Sequence, residues 1–312
     1  MADGWGDTPV AIPTELVLPR HYPPASQLSR AGAILRGADL SGKHLQRIDF
    51  TRADLSGTNL ERTQLIDAQL SDANLSGANL MHANLTAASL RRANLLGAVL
   101  MFATLNQATL AQANLAGANL TEAEFYNANL TDADLSQTML RRASLVGANL
   151  SRADMHRVQA NGAELYGIDG SYTQLSDAHL QGCDLRQAAL YRTVLTQANL
   201  TRANLNQATL TDVKGMGIRL HHANLAGATI QHADLNTADL HQAVMIRATL
   251  IDTDLSGANL QNARLDHATI QGSHLRDILW HQASVKDTHF CQVVGLSPSE
   301  EAWLRSHGAI IS

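Results

Sequence analysis

The chain has 312 residues, a formal net charge of −5 and a pI near 6.2, a mild balance that gives no electrostatic reason for nucleic-acid binding. Aromatic residues make up only 4%, and Leu and Ala dominate the apolar content. This argues against a core of mixed, interlocking side chains and for one packing unit used many times. No apolar run approaches the ~18 residues of a membrane span.

The first segment, residues 1–30, contains Pro13, Pro19, Pro23 and Pro24. These exclude regular helix and central strand, so an extended, partly disordered segment is expected. Leu16, Val17, Leu18 and Tyr22 are expected to lie over whatever follows. The N-terminus lacks the charged and apolar regions of a secretory signal. Cys183 and Cys291 stand far apart in the repeat, so an intramolecular disulfide is not expected. Together these features predict a cytoplasmic protein without membrane insertion.

From Leu35 to Phe290 an apolar centre recurs every fifth residue without a slip. There are 52 such centres, 40 of them Leu, and the residue two before the centre is Ala in 36 repeats. Ala73-Asn74-Leu75-Ser76-Gly77-Ala78-Asn79-Leu80 gives the pattern A-(D/N)-L-x-x at its cleanest. A period of five fits neither helix nor flat strand. It suits a chain that turns one corner per repeat, with the Leu and the small residue both pointing inward. The other three positions face out or shape the corner.

This pattern, over residues 31–292, resembles the pentapeptide-repeat family. The resemblance implies an all-β fold, a right-handed quadrilateral β-helix with 20 residues per coil. About 13 coils at ~4.8 Å would make a rod roughly 60 Å long. Some family members that protect DNA gyrase carry loops that interrupt the repeat, and this chain has none. The resemblance and the C-terminal helix described below point to a bacterial member, a cyanobacterial one among the possibilities.

Three centres lose their large side chain: Ala160, Gly170 and Gly215. Each follows an unusually large residue, Val158, Ile168 or Val213, as if volume were conserved within the repeat. These β-branched side chains are expected to fill the space. The alternative is a backbone irregularity exposed for binding.

Residues 293–312 are expected to cap the array. Ser297 suits an N-cap, Pro298 the first helical position, and Glu300 a capping box, giving a helix at about 298–306. Gly308 would end it, and Trp303 and Leu304 can cover the last coil. A monomer is favoured over dimerisation through this helix.

With a 20-residue coil, positions 20 apart stack. One column reads Arg52, Asp72, Arg92, Gln112, Asp132, Arg152, Tyr172, Arg192, Asp212, His232, Asp252. Its alternating signs cancel the single-sign field that mimicry of a polyanion requires. A second column holds Ile66, Tyr126, Val146, Tyr166 and Ile246. On an adjoining face lie Met81, Met101 and Phe102. These six central residues, Met81, Met101, Phe102, Tyr126, Val146 and Tyr166, form a candidate protein-binding patch. His221, His241 and His281 share a further column, but no Cys or carboxylate completes a metal set. No catalytic motif is present, and a filled interior leaves no ligand cavity. The expected function is a non-enzymatic protein-binding scaffold or regulator without cofactor or metal. The alternative is a DNA-mimicking, gyrase-binding protein.

Overall fold

The computed structural model describes residues 29–312. The expectations for residues 1–28 lie outside the described residues.

The chain winds as a solenoid whose successive turns pair in parallel. Bridges link every fifth residue, the one before each centre, to the one 20 later, from Ser29↔Asp49 through to His274↔Val294. One side tightens towards the C-terminus into three-residue strands: β1 (Thr209–Thr211), β2 (Thr229–Gln231), β3 (Thr249–Ile251), β4 (Thr269–Gln271) and β5 (His289–Cys291). Their register is also 20, with Leu210, Ile230, Leu250 and Ile270 stacked in line.

The repeat explains this geometry. The central Leu and the small residue two before it are buried on every side, as at Ala73, Leu75, Ala78 and Leu80. Ala fits there because the interior is shared with Leu from all around the coil at crystal-like density. Where Thr replaces Ala, its hydroxyl finds a carbonyl, within its own coil at Thr58 and Thr138 and one coil away at others. Thr63 donates to the Leu40 carbonyl at 3.0 Å, Thr173 to Leu150 at 2.9 Å and Thr193 to Gly170 at 2.8 Å. Without such partners each buried hydroxyl would be costly.

The Asp or Asn before the centre starts the corner. Its side-chain oxygen accepts the N–H two residues on, as Asn79 does from Met81 (3.1 Å) and Asp49 from Thr51 (3.0 Å). Asn amides also donate to the coil before, as Asn94 does to Asn74 (3.2 Å). The next step is a β-turn in which every fifth residue, from Gly32 to Gln292, takes positive φ. Of these 53 residues 38 are not glycine, so the ladder and the turn hold Arg, Asp, Gln and His where glycine is favoured.

The C-terminal end is capped. Helix α1 (Pro298–Ser306) begins at Ser297, whose hydroxyl accepts the Glu300 N–H while the Glu300 carboxylate accepts the Ser297 N–H. Leu304 is fully buried against the last coil, and Gly308 follows the helix with φ 90°. A strand β6 (Ile310–Ile311) then pairs with β5, His289↔Ile310 and Phe290↔Ile311. This register is one residue longer than a coil, because helix and strand together replace a turn of the solenoid.

The hollow repeats are filled, though not always from within. Ile168 is buried, and a β-carbon on Gly170 would lie 3.6 Å from its Cδ1 but 2.9 Å from Leu190 Cδ2 of the next coil. At Gly215 the nearest side-chain atoms are Leu235 Cδ2 (2.9 Å) and Ile218 Cγ2 (3.6 Å), not Val213. Ala160 and Val158 are both fully buried. The interior space beside Gly170 is about 10 Å³, at the lower limit for a single water. Cys183 and Cys291 are both free thiols.

Candidate functional site

The first two residues after each centre form a corner and point outward. Tyr126, Val146 and Tyr166 take the first of these places on one corner, in three successive coils. Tyr126 is 50% exposed, Tyr166 36%, and Val146 is half-buried. The Tyr126 N–H donates to Asn106 Oδ1 at 2.8 Å, which fixes the backbone there. Gly147 beside Val146 has φ 67°, and the Asn127 carboxamide occupies the space a side chain would need. Tyr166 donates its hydroxyl to Gln187 Oε1 at 2.7 Å, and the Arg186 guanidinium lies 5.6 Å from its ring centre.

Met81, Met101 and Phe102 occupy the preceding corner. Both methionines are half-buried, and Phe102, 39% exposed, stacks on His82 at 4.9 Å. Between the two corners runs the outward column Thr104, Glu124, Ser144, Glu164, with both glutamates exposed. The patch read from the sequence is therefore two groups, separated by a polar, acidic strip.

The structure adds residues that column reading missed. Tyr172 and Tyr191 meet edge-to-face at 5.3 Å on the following corner, and Tyr172 is 43% exposed. Arg192 lies 5.1 Å from the Tyr191 ring centre and pairs with Asp212 at 3.2 Å. Partial desolvation raises the Tyr191 phenol above its ordinary value. The two tyrosines are 19 residues apart, a diagonal relationship that vertical columns hide. One side of the solenoid is thus edged by Tyr126, Val146, Tyr166 and Arg186, and on the other corner by Tyr172, Tyr191 and Arg192. Asp169, Gly170 and Ala189 lie between these corners. The hollow repeat at Gly170 belongs to this side, and Ala160 to the opposite side of the same coil.

The charged column pairs as its signs predict. Arg92 binds Asp72 at 2.7 Å and Arg152 binds Asp132 at 2.6 Å, each through two hydrogen bonds. His232 sits between Asp212 (3.8 Å) and Asp252 (3.5 Å). These pairs are solvent-exposed and contribute little stability, but they neutralise the surface.

His221 stacks on His241 at 4.9 Å, and His222 meets His221 edge-on at 4.1 Å. Among the described residues no group of three His, Cys, Asp or Glu is placed to hold a metal ion. The Cys183 thiol donates to the Ala160 carbonyl at 2.8 Å, and burial pushes its pKa up to about 12. No described helix is long and apolar enough to cross a membrane.

A parallel solenoid with a five-residue period defines the class of this chain, and comparison with known proteins names it. Residues 43–120 match a pentapeptide repeat region, and residues 128–169, 173–212, 217–242 and 243–278 match pentapeptide repeats. The chain belongs to the pentapeptide-repeat family. Among solved structures it is similar to HetL, a pentapeptide repeat protein involved in heterocyst differentiation regulation from the cyanobacterium Nostoc sp. strain PCC 7120. That match has 28% identity, covers 82% of this chain and 89% of that one, and has a TM-score of 0.22. Rfr23 from the cyanobacterium Cyanothece 51142 matches at 21% identity over 43% of this chain and 91% of that one, TM-score 0.25. Full-length QnrB1, a plasmid-mediated fluoroquinolone resistance protein, matches at 19% identity over 67% of this chain and 89% of that one, TM-score 0.21. No curated protein sequence matches significantly.

Proposed function

We propose that this protein is a non-enzymatic scaffold or regulator that binds another protein through the tyrosine-edged side of its solenoid. On this reading it is a cytoplasmic monomer, built as a right-handed, four-sided β-helix of about 13 coils. The observation that carries the proposal is the pair of exposed tyrosine–arginine corners flanking one rigid sheet. Tyr and Arg are enriched where interfaces concentrate their binding energy. A repeat scaffold also holds them without the entropy loss of ordering a loop. The filled interior supports binding on the outside over binding within. The alternative of a DNA-mimicking, gyrase-binding protein draws no support from the Arg–Asp ladder, whose neighbours cancel.

The test is affinity capture from the native host with the wild-type chain and two double variants. A partner lost by Tyr126→Ser/Tyr166→Ser but kept by Met81→Ser/Phe102→Ser is the expected result. Unchanged capture by the tyrosine variant would remove this side as the binding surface.

A further inference from the structure

A second site lies at the C-terminal end, away from the tyrosine corners. Between the last coil and α1 is a groove of about 220 Å³, lined by Trp280, His281, Ser299, Glu300 and Trp303. Two of the chain's three tryptophans line it, together with the Glu300 carboxylate of α1. The volume is below the ~300 Å³ of ordinary small-molecule pockets and suits one long side chain.

The groove's groups are incompletely matched. Trp280 is 7% exposed and packs edge-to-face on Phe290 at 6.0 Å. Its Nε1 is buried with no hydrogen-bond partner, an arrangement that ordinarily costs stability. Trp303 stacks on His307 at 4.2 Å, which occupies one face of the indole. Glu300 accepts both of its capping bonds, from the Ser297 N–H (2.7 Å) and hydroxyl (2.6 Å), on Oε2. Neither falls on Oε1.

We propose that this groove receives an arginine side chain of a peptide partner. The planar guanidinium is the cation best suited to lie against indole and bond a carboxylate together. Glu300 supplies the complementary charge through Oε1. A peptide is the source that matches a groove with room for one long side chain. An anionic ligand is disfavoured because Glu300 already occupies the helix N-terminus where an anion would bind.

The probe is N-acetyl-arginine amide, titrated into the ¹⁵N-labelled full chain, with N-acetyl-citrulline amide and N-acetyl-lysine amide as controls. Indole N–H resonances are assigned from Trp280→Phe and Trp303→Phe spectra. The proposal expects saturable shifts of the Trp280 and Trp303 indoles with the arginine probe and none with its neutral citrulline isostere. Glu300→Gln keeps the capping box, since Gln serves at that position, so the helix persists while the charge is lost. Its affinity should fall about tenfold, the scale of one charge-assisted hydrogen bond. Absence of shifts with the arginine probe would overturn the site. Equal shifts with citrulline, or wild-type affinity in the Glu300→Gln chain, would overturn the cation assignment. An equal response to lysine would overturn the guanidinium.

Discussion

A β-carbon on Gly170 would stand 2.9 Å from Leu190 Cδ2, so the coil after the hollow repeat has already taken its space. Gly170 does not have positive φ, so Ala would meet a steric obstacle rather than a backbone one. Gly170→Ala should destabilise by about 1–3 kcal/mol through overpacking. Leu190→Ala alone should cost about 2–5 kcal/mol by leaving a cavity. The double variant should cost less than the sum, because each change relieves the other. Long repeat arrays can melt in parts, so amide hydrogen exchange in this coil is the appropriate measurement. Additive effects would show that Leu190 does not fill the gap.

Thr237 is β-branched and holds φ at 56°, where such residues are true outliers. Asn tolerates this conformation far better, and the corner position needs no methyl group. Thr237→Asn should raise stability by roughly 0.5–1 kcal/mol, judged from the ~1–2 kcal/mol that left-handed backbone costs ordinary residues. A thermal midpoint at or below that of the wild type would contradict it.

The histidine cluster predicts a pH dependence. Desolvation by its neighbours holds the exposed His222 below its ordinary value of 6.5, and the nearby His221, Arg202 and His241 add to the effect. The unfolded chain therefore binds this proton more readily than the folded one. The stability at stake is intact above the ordinary value and declines as the pH falls through 6.5 towards the lowered folded value. Thermal midpoints measured across that range should fall less steeply for His222→Gln than for the wild type. Parallel curves would dissociate the cluster from acid sensitivity.

The two thiols should differ in reactivity. Cys183 faces inward with its pKa pushed up to about 12, whereas Cys291 is half-buried near the C-terminal end and accepts the Ser312 hydroxyl at 3.3 Å. Alkylation near neutral pH followed by mass spectrometry should label Cys291 in the native chain and Cys183 only after denaturation. Native labelling of Cys183 would mean that its coil opens readily.

What could be read from the sequence was whatever one repeat or one turn of helix decides by itself. Leu75 and Ala73 are inward because every repeat says so, and the Ser297–Glu300 box declared the helix start. What could not be read was set between coils. Leu235 and Ile218, not Val213, lie nearest Gly215, because the nearest atoms come from the next coil and the next repeat. The left-handed corners are concealed because Arg, Asp and Gln hold most of them, and only the ladder keeps them there. Strand β6 is two residues long and out of the 20-residue register, so no periodicity announces it. At the candidate site, Tyr126, Val146 and Tyr166 share a column, so their alignment is legible in the sequence. Tyr172 and Tyr191 touch along a diagonal, which no column displays.

The cap offers the most direct test of how the array ends. Leu304 is the fully buried residue of α1, and the ring of Phe290 beneath the cap is also fully buried. Strand β6 depends on the same contact, since Ala309 donates its N–H to the Leu304 carbonyl at 3.1 Å before the chain pairs with β5. Leu304→Ala should therefore cost about 2–5 kcal/mol locally and release helix and strand together. Hydrogen exchange should speed up at Ile310 and Ser312, whose N–H groups bond the Thr288 and Phe290 carbonyls at 2.9 Å. Amides in the coils around Leu75 should keep their protection, because each coil contacts only its neighbours. Loss of protection along the whole rod would mean that the cap nucleates the array rather than closing it.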